Sequence, residues 1–225
     1  PPQLPADRLD KARAIFAKAR SQGRVNLVET EARDVLRAYG FQLPAHGLAK
    51  SADEAAAMFA DIAGGKAVMK IVSPEILHKT DAGGVILNVD SAQKARDAYA
   101  TLLANAKNYD ADANIYGVLV TPMLAGGIEC IIGSSSDVTF GPTVMFGLGG
   151  IFVEVLKDVA FRVAPVNAPE AGRMLREIKG YPMLEGVRGK KGVNIPALSD
   201  AVSKLSYMVT ELADVAEVER SACPT

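Results

Sequence analysis

The apolar runs of this chain are strand-sized, and in the first half they alternate with amphipathic, helix-sized runs. None approaches the roughly 20 residues that cross a bilayer. Asp7 to Ser21 puts Leu9, Ala12, Ile15, Phe16 and Ala19 on one stripe and predicts a helix stopped by Gly23. A second helix runs from about Glu29 to Tyr39, and Pro44 and Gly47 mark a turn-rich connector. Ser51-Ala52-Asp53-Glu54 is a capping box that opens a helix to about Ala63. The strands Ala67 to Val72, Val85 to Val89 and Ile115 to Thr121 follow, with a Ser91-capped helix carrying Ala95, Ala98, Tyr99, Leu102 and Leu103 before the last of them. That alternation predicts an α/β lobe.

The second half is richer in strands. Gly127 to Gly133, Thr143 to Gly147, Ile151 to Leu156 and Ala160 to Ala164 are each predicted extended. Helices follow near Asn167-Ala168-Pro169-Glu170, where Asn caps and Pro suits the first turn, and from about Pro196 to Leu212. Val215 to Glu219 reads as a short closing strand, and Arg220 to Thr225 carries no readable element.

With 25 basic and 26 acidic residues the net charge is −1, which argues against a nucleic-acid surface. Cys130 and Cys223 lie far apart and form neither a disulfide scaffold nor a metal motif. Pro1-Pro2-Gln3-Leu4-Pro5 lacks the charged and apolar regions of a signal peptide. These absences point to a cytoplasmic protein with no membrane span, and Pro1, not a natural start, to a chain processed or cut from something longer.

The chemistry concentrates around one of two histidines. His78 follows the strand 67–72 and Ser73-Pro74, and Gly83-Gly84 then leads into the strand 85–89. A loop histidine is more often a hydrogen-bonding or solvated residue than a catalyst, yet a neutral imidazole there can act as a nucleophile near pH 7. Lys70 interrupts an apolar strand, so it either snorkels at an edge or meets a phosphate. Glu129 interrupts the run 127–133 in the same way. Gly147-Leu148-Gly149-Gly150 lacks the strand–GxGxxG–helix context of a dinucleotide site; it is a tight turn or a close backbone approach to phosphate. If residues 151–158 are extended, Glu154 and Asp158 share a face and either hold metal or pair with Arg162, the ion pair being preferred. His46 has no supporting context and reads as structural.

The run Lys70-Ile71-Val72-Ser73-Pro74-Glu75-Ile76-Leu77-His78-Lys79-Thr80-Asp81-Ala82-Gly83-Gly84-Val85, with Phe140-Gly141-Pro142 through Gly147-Leu148-Gly149-Gly150 to Asp158-Val159, resembles the ATP-grasp subunit of ADP-forming acyl-CoA synthetases, the acetate–CoA ligase beta-chain family. The similarity covers about Leu9 to Glu219. It implies an α/β ATP-grasp fold, two lobes with a nucleotide cleft between them. The first lobe, 24–120, would be inserted into a second made of 1–23 and 121–225. It implies ATP/ADP and Mg2+ as cofactors and His78 as the phosphoryl acceptor, with Asp81 orienting its loop. Lys70 and the Gly149-Gly150 turn would bind phosphates. The Val120 to Met123 hinge and Glu129 would hold the nucleoside, the hinge backbone contacting adenine and its apolar side chains sandwiching the ring, and Arg188, in a Gly-x-Arg-Gly element, would meet phosphate or the partner. A CoA-binding subunit or fused domain would complete a hetero-oligomer.

The chain departs from that pattern twice. Its hinge reads Thr121-Pro122-Met123 where many relatives have a Gln-Glu-Met type, and Pro122 has no N–H to offer. Glu219 falls where relatives carry the first metal-side Asp, and Ser221 falls at their Asn. Weaker metal ligation predicts, as the alternative, a nucleotide-binding module with impaired catalysis.

Overall fold

The computed structural model describes residues 1–62, 64–124, 126–187 and 192–222, with backbone alone at 151, 154 and 219–222. The chain divides into two compact units. One comprises Asp10–Ala38 and Gln42–Leu124; the other comprises Pro1–Leu9, Tyr39–Phe41 and Ala125–Thr225. Residues 10–23, expected with the C-terminal half, thus group with 42–124.

The first unit holds α1 (Arg8–Ser21, from Asp10 onward), α2 (Glu29–Ala38), β1 (Gly47–Ala49), α3 (Ala52–Ile62), β2 (Ala67–Val72), β3 (Val85–Val89), α4 (Ala92–Tyr109) and β4 (Gly117–Pro122). Ser51 caps α3: Glu54 N–H donates to Ser51 Oγ, while Glu54 Oε2 reaches back past the cap to accept from Lys50 N–H at 2.7 Å. Ser91 caps α4 by accepting from Lys94 N–H. The sheet runs β1-β4-β2-β3, antiparallel throughout. Ala67, Met69 and Ile71 of β2 point into a core shared with Ala95, Ala98 and Leu102 of α4. Burying such side chains is worth about 1.5–3 kcal/mol for each large one. Lys70 therefore projects from the opposite face, beside its register partner Leu119. Val72, Leu119 and Val28 pack together in a small cluster there. β1 lies in the expected connector, where three residues against an edge are too short to leave an alternation signal.

The second unit holds β5 (Cys130–Asp137), β6 (Gly141–Leu148), α5 (Ile151–Glu154), β7 (Val159–Val163), α6 (Ala168–Leu175), α7 (Tyr181–Glu185), α8 (Ile195–Glu211) and β8 (Glu217–Ala222). Its antiparallel sheet runs β7-β6-β5-β8, with α6 and α8 packed against it. Three expectations are corrected. Residues 151–154 form a helical turn, not a strand: Gly150 turns the chain at φ +59°, and β6 is already paired on both sides, by β5 and β7. β5 starts later and runs further than 127–133, because Gly126 and Gly127 sit at φ +77° and +79°, outside any ladder, while polar Ser134–Ser136 continues the hairpin. The tail after 219 has structure as far as Ala222, which pairs with Cys130.

Candidate functional site

The histidine loop, residues 73–84, has a fixed base and an exposed tip. Ile76 and Ala82 are buried, and Asn105 of α4 donates from Nδ2 to the Gly83 carbonyl at 2.9 Å. Glu75 closes the near side: its carboxylate accepts from Ser73 Oγ at 2.8 Å and from Asn114 N–H at 3.0 Å. Between these anchors the chain makes a helical-type turn. Asp81 and Ala82 N–H both donate to the His78 carbonyl, and Gly84 N–H donates to the Lys79 carbonyl at 2.6 Å. His78 and Asp81 are exposed at that turn. Asp81 thus acts on the loop through its backbone, three residues after the imidazole.

Lys70 supplies the adjoining charge. Its Nζ donates to Glu29 Oε1 at 3.1 Å, and its side chain is 30% exposed. Glu29 opens α2, and the same carboxylate receives Arg33 Nε at 3.5 Å and Lys79 Nζ at 3.8 Å. Burial pushes the Glu29 carboxyl up, but Lys70 by charge and hydrogen bond, then Lys79 and Arg33, bring it below the usual carboxylate range. Glu29, Arg33 and Lys79 escape a reading of the sequence. Glu29 looks like an ordinary first-turn acid, and only the fold brings residues 29, 70 and 79 together.

In the second unit the structure joins two of the sequence candidates. Gly149 N–H donates to the Glu129 carbonyl at 2.7 Å, and the exposed Glu129 side chain lies over Gly149. A Cβ at Gly149 would sit 2.6 Å from Glu129 Cγ, so the glycine is what admits the carboxylate. Gly150 makes the turn into α5.

Other candidates fare differently. Val120 is 0% exposed and packs in the first unit's core, between register partners Gly47 and Met69. Its side chain is therefore not available to sandwich a ring, because β4 is an interior strand. Met123 is half-buried, and its N–H is spent on the Lys66 carbonyl at 2.8 Å. Arg162 and Asp158, expected to pair, have other partners, and the Glu154 side chain lies outside the described residues. Arg162 holds Glu170 at 2.8 Å and also Glu177, while Asp158 accepts the N–H groups of Lys179 and Gly180 at 2.8 and 2.7 Å. His46 lies against Arg37, 2.9 Å from its Nη2. Arg188 and the side chain of Glu219 lie outside the described residues; the Glu219 backbone pairs with Gly133. Among the described residues no group of three or more His, Cys, Asp or Glu could hold a metal. No helix of the described residues is long and apolar enough to cross a membrane.

A family model described as an ATP-grasp domain matches residues 18–221. The chain is 49% identical over 213 residues to the acetate–CoA ligase (ADP-forming) I subunit beta of Pyrococcus furiosus, covering 95% of this chain and 91% of that one. A solved dinucleotide-forming acetyl-coenzyme A synthetase 1 of Ca. Korarchaeum cryptofilum, in complex with coenzyme A and Ca-AMPCP, superposes with a TM-score of 0.90 at 40% identity, over 95% of this chain and 93% of that one. A second structure of that enzyme, with coenzyme A and Mg-AMPPCP, is described with its phosphohistidine segment pointing towards the nucleotide binding site. It superposes with a TM-score of 0.81 at 37% identity, over 95% and 92% of the two chains. A model match over most of the length and near-half identity across almost all of a beta subunit lead to one conclusion: the chain belongs to the ATP-grasp family, among the beta subunits of ADP-forming acetate–CoA ligases.

Proposed function

We propose that this chain is the ATP-binding subunit of an ADP-forming acyl-CoA synthetase and that His78 carries its phosphoryl group. The observation that carries the reading is an exposed imidazole on a firmly anchored loop, whose next residue, Lys79, reaches the Glu29 carboxylate that also holds Lys70. The unprotonated ring nitrogen attacks the γ-phosphorus; the N–P bond forms as the P–O bond to ADP breaks. Lys70 serves as the point charge that receives the phosphates. Glu129 and the Gly149–Gly150 turn are assigned to nucleotide binding, as is Met123, and Arg188 to phosphate or the partner. Magnesium, bound with the nucleotide, neutralises phosphate charge. It commonly takes one or two carboxylates and leaves the rest of its shell to phosphates and water, so a three-carboxylate cage is not required; Glu219, at the position where relatives carry a metal-side Asp, would supply one.

The phosphoryl group passes between His78 and a CoA-binding partner subunit or fused domain, where acid and acyl-CoA interconvert. A hetero-oligomer follows, as does a cytoplasmic location, where acyl-CoA and ADP meet. The test is to incubate the chain with γ-labelled ATP and magnesium, with and without that partner, and to map the label by mass spectrometry. An acid-labile label on His78, lost in His78→Asn, is expected. Thermal stabilisation by ATP with no label on His78 in the presence of the partner would overturn the reading.

A further inference from the structure

Three cations from three parts of the first unit meet a single carboxylate. Lys70 comes from β2, Arg33 from α2 and Lys79 from the histidine loop; Glu29 lies 3.1, 3.5 and 3.8 Å from them. The cluster is short of acceptors. One carboxylate leaves two positive charges uncompensated within it, and Arg33 Nη1 is buried without a hydrogen-bond partner. A phosphoryl group, with close to two negative charges and three acceptor oxygens, supplies what the cluster lacks. Lys79 is also the loosest of the three. Lys70 makes a hydrogen bond to Glu29, whereas Lys79 is held by charge at the longer distance.

We propose that Glu29 is a positioning residue that latches the histidine loop: its carboxylate ties Lys79, next to His78, to Lys70 on the sheet, and an arriving phosphoryl group takes one lysine away from Glu29 and breaks that tie. The proposal rests on the reading of His78 as phosphoryl carrier. Nothing in it requires Glu29 to touch substrate. Before the nucleotide arrives, the carboxylate stands in for phosphate oxygen. Phosphate bound at Lys70 draws that lysine off Glu29, and phosphate carried on His78 draws Lys79 off it; in each case the dianion outcompetes the monoanion, and the contact chain from loop to strand is broken.

The amides of Asp81, Ala82, Gly83 and Gly84 report on the latch, because each donates within the loop's own turn. Their hydrogen exchange would be followed by mass spectrometry in the full chain with its CoA-binding partner. Lys79→Met removes the loop's arm while leaving Glu29 satisfied by Lys70 and Arg33, so folding is preserved. Losing an ion pair of this exposure corresponds to about two- to fivefold faster exchange. Magnesium AMP-PCP should accelerate exchange in the wild type and add nothing in Lys79→Met. Glu29→Gln should exchange like Lys79→Met and bind inorganic phosphate about two- to fivefold more tightly by calorimetry, since the internal competitor is gone. Glu29→Asp should restore part of the protection. Unchanged exchange in Lys79→Met, or a response to AMP-PCP that survives it, or phosphate binding no tighter in Glu29→Gln, would each sink the latch. Labelling His78 in a parallel wild-type sample given γ-labelled ATP and magnesium, with its exchange followed alongside, separates the two ideas. A labelled histidine with unchanged exchange refutes the latch alone, and an unlabelled one refutes the carrier reading.

Discussion

Gly84→Ala tests how tightly the histidine loop is closed. A Cβ there would stand 2.6 Å from Ile71 Cγ2 and 2.9 Å from the Lys79 carbonyl oxygen, well short of the 3.4 Å at which ordinary contact begins. Neither neighbour yields easily. Ile71 is fully buried in the core, and the Lys79 carbonyl is backbone already engaged by Gly84 N–H at 2.6 Å. Ile71 N–H in turn donates to the Gly84 carbonyl at 2.9 Å, so moving one strand end disturbs the other. Overpacking a filled core costs about 1–3 kcal/mol, and weakening the loop-closing hydrogen bond adds about 1 kcal/mol. A total of about 2–4 kcal/mol lowers the melting temperature of a chain this size by about 5–15 °C. Differential scanning calorimetry reads that shift, and hydrogen exchange locates it. Amides 81–84 should lose protection before those of α4. A variant that melts within about 2 °C of wild type and keeps its loop protection would refute the geometry on which both the carrier and the latch are built.

Gly149→Ala should separate binding from folding. The atoms a Cβ would meet belong to the exposed, flexible Glu129 side chain, so melting should stay within about 2 °C while ATP affinity, read by calorimetry, falls roughly fivefold as Glu129 is displaced; an unchanged affinity removes Glu129 from the nucleotide site. The Glu29 carboxyl titrates below the ordinary glutamate value of 4.5 in the folded chain, so its stabilisation is fully present above that pH and is lost as pH falls through the lowered folded value. Glu31 and Glu75, also lowered, titrate the same way. Between pH 5 and pH 3 the melting temperature of Glu29→Gln should therefore fall less steeply than that of wild type, though not flatten, and parallel slopes would show that Glu29 is not held by its cations.

The first unit was legible because its elements obey one rule each. β2 and β3 were bounded as expected, by Gly64-Gly65, Ser73-Pro74, Gly83-Gly84 and Ser91. The second unit was harder where polarity and pairing compete. Ser134–Ser136 reads as loop by composition, yet it pairs with β6 on one side and β8 on the other, and backbone pairing needs no apolar side chain. The run 151–156 reads as strand by composition, but both edges of β6 are taken, and a four- to six-residue apolar run carries no period of its own. At the site, the features carried by single segments were visible: the histidine, its glycine pair and the lone lysine of β2. The Glu29 cluster was not, because its four members are spread over residues 29 to 79 and only Lys70 is unusual in its local context. The Val120 side chain was misjudged for a related reason. A hinge position can be chosen for its backbone while strand alternation sends its side chain into the core.

The loop's anchors set what its movement must cost. If the pivots lie inside Leu77–Asp81, the moving piece is five residues, which at about 3.3–3.6 Å per residue spans some 17 Å when extended; its midpoint can then leave the surface by only about half that. A longer journey must unseat Ile76 and Ala82, both buried. That exposes apolar surface worth about 2 kcal/mol for the isoleucine and less than 1 kcal/mol for the alanine. The Lys79–Glu29 ion pair, half-buried but long at 3.8 Å, is worth about 1 kcal/mol. The two contributions therefore play different parts. Transfer to a distant partner site requires a new apolar seat on that partner, which the already exposed Leu77 is positioned to begin filling. Transfer within the chain's own nucleotide site needs no such seat. The ion pair is too weak to hold the loop against either move, but it responds to phosphate, which the apolar seats do not. The latch times the departure, and the seats decide how far the histidine can go without help.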